Sequence, residues 1–86
     1  MRIRFTMHAL QKFSVLRRHG VVVRKEQVVQ TVETPDKVDH SSLPLLIAQT
    51  NFDKWRVLRV VYKIESGTIV IITFYPGNKS QYETKQ

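Results

Sequence analysis

The chain contains no cysteine, and only three glycines, three prolines, one tryptophan and seven acidic residues among 86. The missing cysteine excludes a disulfide framework, a thiolate metal site and a cysteine nucleophile. No apolar run approaches the roughly 20 residues of a membrane-spanning helix. The basic start Met1-Arg2-Ile3-Arg4 lacks the uninterrupted apolar stretch of a signal peptide. A cytoplasmic protein with no membrane association is expected. A chain this short buries only about 60–65% of its unfolded surface, which excludes two-domain enzymes and large cofactor folds. A glycine-rich phosphate loop, a paired-carboxylate arrangement and a serine nucleophile motif are all missing, and no cofactor is expected. His8 and His19 lie eleven residues apart, roughly 16 Å along a helix, and His40 is in a loop, so no metal site is expected.

Positive charge is plentiful. Fourteen Lys and Arg give a formal charge of +7, placed unevenly. Residues 1–25 hold seven cations and no acid, residues 26–53 are net acidic, and residues 54–86 are again basic. If the two ends meet in the fold, they concentrate a positive surface that attracts polyanions. The plainer reading is a soluble basic surface, or one covered by an acidic protein partner.

Arg2-Ile3-Arg4-Phe5 alternates as a short edge strand does, and Thr6 is placed to cap a helix over about Met7–His19. Ala9, Leu10, Phe13 and Leu16 form its core stripe, and Gly20 its stop. Val28, Val29 and Val32 repeat at helical spacing within Arg24–Glu33, a second helix ended by Pro35. Residues 36–44 read as a polar loop. Leu45–Thr50, Trp55–Ile64 and Thr68–Tyr75 read as strands, with a turn at Asn51–Lys54. A three-residue loop, Glu65-Ser66-Gly67, is expected to pair Ile64 with Thr68 and to set Leu58, Val60 and Tyr62 beside Val70, Ile72 and Phe74. Val57, Arg59, Val61 and Lys63 then share the other face with Ile69, Ile71, Thr73 and Tyr75, with Arg59 across from Thr73. The fold class expected is α+β, two N-terminal helices packed on an antiparallel sheet of about four strands. Residues 1–76 form the domain, and 77–86 a polar tail.

His8, Lys12 and His19 fall within about 40° of one another on the wheel of the first helix, one polar stripe beside its core face. A histidine exchanges protons near neutrality, and a lysine one turn away holds a phosphate. Taken singly, His8 reads equally as a partner for a backbone group near the helix start, and His19 as a charge favoured by the helix C-terminus. Arg17 lies at the margin of the core stripe, whereas Arg18 faces solvent. On the sheet, Arg59 and Lys63 are placed to neutralise a phosphate, and Tyr75 to hydrogen-bond it or donate a proton. Tyr62, on the core face, and Tyr82, in the tail, are weaker candidates. RNA cleavage needs a base for the 2′-hydroxyl, cations against the charge of the phosphorane and an acid for the leaving oxygen. A His–Lys–Arg–Tyr set suffices.

Thr6-Met7-His8-Ala9 at the helix start, Arg17-Arg18-His19-Gly20 at its end, and the closing strands Val57–Tyr62 and Ile69–Tyr75 resemble the RelE/BrnT-type toxin superfamily, in its uncharacterised branch with a Thr-x-His-Ala helix start. The resemblance runs over nearly the whole chain to Tyr75. It implies a compact RelE-like α+β fold, frequent pairing with an antitoxin protein, and metal-independent ribonuclease activity on RNA, including ribosome-associated mRNA. It also implies catalytic roles for His8, Arg59 and Tyr75. RelE-like toxins usually carry a denser basic cluster on the sheet than Arg59 and Lys63 supply. The expected function is a small toxin-like endoribonuclease, with Lys12, Arg17 and Lys63 binding RNA. The alternative is a non-catalytic RNA-binding or protein-interaction module that uses the same surface.

Overall fold

The computed structural model describes residues 2–83, which contain five strands and three helices in the order β1 (Arg2–Phe5), α1 (Met7–Arg18), α2 (Lys25–Glu33), β2 (Lys37–Asp39), β3 (Leu46–Asn51), β4 (Arg56–Glu65), β5 (Thr68–Asn78) and α3 (Lys79–Tyr82). The class is α+β, as expected. The sheet differs in two respects: it has five strands, ordered β1-β5-β4-β3-β2, and it is mixed, because β1 runs parallel to β5 while the other neighbours are antiparallel. The fifth strand is β2, inside the stretch read as a polar loop. Lys37-Val38-Asp39 has one apolar residue and no period to read, and pairing with β3 makes it a strand.

Local signals set the first helix. The Thr6 hydroxyl accepts the Ala9 amide at 3.1 Å and donates to the Ile72 carbonyl at 3.2 Å, which caps α1 and ties it to β5. At the other end, Val21 N–H reaches the Leu16 carbonyl and Gly20 N–H the Arg17 carbonyl, both at 2.9 Å, with Gly20 at φ 81°. This double closure needs the left-handed conformation that glycine adopts without penalty. Ala9 is fully buried and Phe13 and Leu16 pack beside it, but Leu10, expected in the same stripe, is 46% exposed. Phe13 sits between Phe5 and Phe74, with ring centroids 6.1 and 4.6 Å away. In α2, Val28 and Val32 enter the same core, and buried Thr31 donates to the Gln27 carbonyl and meets the Thr50 hydroxyl at 2.9 Å.

The hairpin corrects the expected register. Ser66 and Gly67 have φ of 49° and 77°, and Glu65 pairs with Thr68, so the loop has two residues rather than three. Positive φ at both central positions gives a turn whose twist matches that of the flanking strands. Tyr62 then pairs with Ile71 but Val61 with Thr73, which leaves Ile72 as an extra residue in β5. Leu58, Val60 and Tyr62 therefore meet α1 and α2 together with Ile69, Ile71 and Phe74, instead of Val70, Ile72 and Phe74. Arg59 lies across from Tyr75, not Thr73. Beyond Pro76, where the polar tail was expected, β5 continues through Gly77 and Asn78, and α3 makes one turn. Residues 84–86 of that tail lie outside the described residues.

Candidate functional site

The sheet face turned away from α1 and α2, the second face, carries a row of side chains in register across four strands: Lys37, Gln49, Arg59 and Tyr75. Pleat alternation puts all four on one side. Arg59 is the hub. Its Nε donates to the Tyr75 hydroxyl at 3.1 Å, one terminal nitrogen to Gln49 Oε1 at 2.6 Å, and the other to Asp39 Oδ2 at 3.2 Å. The Tyr82 ring lies over the guanidinium, 4.1 Å from its carbon. Arg59 is 5% exposed and Gln49 3%. A buried cation persists only when its donors are met, and the planar fork of arginine distributes three bonds where the ammonium of lysine offers a point charge.

Asp39 balances the hub. Its pKa is lowered to about 2, chiefly by the Ser41 hydroxyl, then by the Ser41 amide, and then by Arg59. The Tyr75 hydroxyl accepts from Arg59 and keeps its own proton to donate. Two residues along β5 on the same face, Thr73 Oγ1 is buried without a hydrogen-bond partner among the described residues. Tyr82 is held by the short turn of α3: Lys37 Nζ donates to its carbonyl at 2.5 Å, and the Lys79 amide donates to the Trp55 carbonyl at 2.9 Å. Gly77 makes room for the ring, since a methyl group there would overlap Tyr82 Cε2 and stand 2.7 Å from Cδ2.

Of the residues singled out from the sequence, the structure brings Arg59 and Tyr75 together and puts Lys63 on their face, toward the hairpin turn. Lys63 is bonded to Glu65 at 2.9 Å and lowers the pKa of that carboxylate. His8, Lys12 and Arg17 belong to α1, so the sheet stands between them and Arg59. His8 and Arg17 are exposed and Lys12 is half-buried. His19 caps α1, with its ring Nδ1 2.9 Å from the Val15 carbonyl. Tyr62 is a core residue whose hydroxyl pKa is raised by burial.

Sequence reasoning missed Asp39, Gln49 and the placement of Tyr82. Gln49 left a trace, as a polar residue within the apolar run Leu45–Thr50. Asp39 and Tyr82 left none, because neither lies in a periodic segment. The chain matches no family model, and no significant match was found among the curated proteins or the solved structures. No helix among the described residues is long and apolar enough to cross a membrane.

Proposed function

We propose that the protein is a small toxin-like endoribonuclease with a RelE-like arrangement of its α+β fold, and that its working centre is the Arg59–Tyr75 pair on the second face. The observation that carries this reading is the 3.1 Å bond from Arg59 Nε to the Tyr75 hydroxyl. It sets a permanent positive charge beside a proton donor, on a chain of net charge +7. In the reaction, O2′ of a ribose gives up its proton to solvent and bonds to the adjacent phosphorus, and the bond from phosphorus to O5′ breaks. Arg59 offsets the extra charge on the phosphorane, and Tyr75 protonates the departing O5′ and then takes a proton back from solvent. The products are a 2′,3′-cyclic phosphate and a 5′-hydroxyl. The Tyr82 ring covers the Arg59 guanidinium, so this reading requires that ring to move aside for RNA to reach Arg59. His8, on the other side of the sheet, has no part in this reading, and an antitoxin partner would serve by covering the second face.

Purified protein incubated with single-stranded RNA tests the proposal. Wild type is expected to yield cyclic-phosphate ends, and Tyr75→Phe, which deletes only the hydroxyl, to cut at least about 100-fold more slowly with an unchanged fold. Equal cutting by both proteins, or intact RNA with wild type, overturns it. A second reading, RNA binding without chemistry, is favoured by the burial of Arg59 and its bond to Asp39. It predicts salt-sensitive binding with no products.

A further inference from the structure

The second face continues beyond the Arg59 row to an open pocket at the turn end of the hairpin. Ile3 and Phe5 of β1 pack against the core, whereas Arg2 and Arg4 pair with Thr68 and Val70 of β5 on the second face. On the other side of β5, Lys63 also pairs with Val70. Arg2, Arg4, Glu65, Ser66, Thr68 and Val70 line a cavity of about 530 Å³. Two cations, Lys63 and Arg4, thus flank one carboxylate, and Arg2 lines the same pocket. Glu65 lies 2.9 Å from Lys63 Nζ and 3.9 Å from the Arg4 guanidinium, with the Arg4 and Glu65 side chains 60% and 52% exposed. Ion pairs this open to water hold weakly and exchange readily for another anion.

We propose that this pocket binds a backbone phosphate of single-stranded RNA. Arg2 and Arg4 grip the phosphodiester, the Ser66 and Thr68 hydroxyls donate to it, and Glu65 holds Arg4 and Lys63 in place until the phosphate displaces it. The proposal rests on the reading of the second face as RNA-directed and adds a subsite to it. A polymer suits the geometry better than a free nucleotide. Lys63 and Arg59 are four residues apart on β4, about 13 Å at the usual rise, so one ligand occupies both places only if several nucleotides link them. No aromatic residue lines the pocket for a base to stack on, which leaves the backbone as the group recognised.

The test is binding of a fully 2′-O-methylated 12-nucleotide RNA, which lacks the attacking hydroxyl, measured by fluorescence anisotropy from 50 to 200 mM salt. Removing two phosphate contacts by Arg2→Gln with Arg4→Gln lowers the salt slope by about 1.4, so the affinity lost over that range shrinks about sevenfold. Arg18→Gln with Lys54→Gln removes the same charge elsewhere and leaves the slope nearly unchanged. Glu65→Gln tightens binding. The subsite is overturned if the two double variants behave alike, if Glu65→Gln weakens binding, or if wild type does not bind. Cleavage of unmodified RNA is scored separately. Cutting without any effect of Arg2 and Arg4 refutes the subsite alone, and binding through them without cutting refutes the nuclease reading alone.

Discussion

Replacing Arg59 by methionine keeps an unbranched side chain in place and removes the guanidinium that links Gln49, Tyr75 and Asp39. Gln49 Oε1 is then buried without a donor, a cost of about 1–3 kcal/mol. The stacking of Tyr82 on the cation is lost as well, about 0.5–1 kcal/mol. A total of about 1.5–4 kcal/mol lowers the melting temperature by roughly 6–30 °C for a chain of this size. Gln49→Met deprives the guanidinium of one acceptor, about 1.5–3 kcal/mol for a bond to a charged group. The double variant leaves no amide oxygen in want of a donor, so its loss should fall short of the summed single losses by at least about 1 kcal/mol. Urea denaturation of the four proteins, with linear extrapolation to water, measures this difference. Additivity within about 0.3 kcal/mol, or an Arg59→Met loss below about 0.5 kcal/mol, would refute the view of Arg59 as a buried hub whose partners depend on it.

Two further outcomes are expected. Gly77→Ala forces the Tyr82 ring off Arg59, so the Arg59 Nε proton should lose its ring-current shift in NMR spectra; an unchanged shift would mean that the ring is not seated there in solution. Asp39 has a lowered pKa, so its stabilising contribution is complete above the ordinary carboxylate value of 3.8 and fades as pH falls toward about 2. A carboxyl titration followed by NMR should therefore show Asp39 ionised at pH 3, and Ser41→Ala should raise its midpoint more than Arg59→Met does; the reverse order would place the cause in the ion pair.

The parts of this fold that were readable in advance are those whose signal is local. Thr6 and Gly20 mark the ends of α1 because capping depends on a few neighbouring residues. Val28 and Val32 point inward because a helix repeats every few positions. What escaped depends on partners distant in the chain. Lys37–Asp39 is a strand because β3 offers it hydrogen bonds, and Tyr82 lies over Arg59 because α3 folds back onto the sheet. The helix wheel groups His8 with Lys12 and His19 as a stripe, but a wheel says nothing about which side of a sheet the helix occupies. Arg59 and Tyr75 were assigned to one face, as the structure places them, though through a register that the hairpin does not adopt.

The extra residue at Ile72 also constrains how this chain can vary. It inverts parity along β5: odd-numbered Ile69 and Ile71 lie on the core side before it, and even-numbered Phe74 after it, so that Tyr75 emerges beside Arg59. Pairing Ile72 regularly with Val61, with the tight turn kept, would carry Thr73 and Tyr75 inward and push Phe74 out into water, whereas deleting Ile72 would leave Thr73 across from Val61 and Tyr75 across from Arg59. A relative of this protein that lacks the irregularity would therefore keep both the core and the polar row behind the same two-residue turn by being one residue shorter at this place, whereas one that keeps the length must keep the bulge or change the turn.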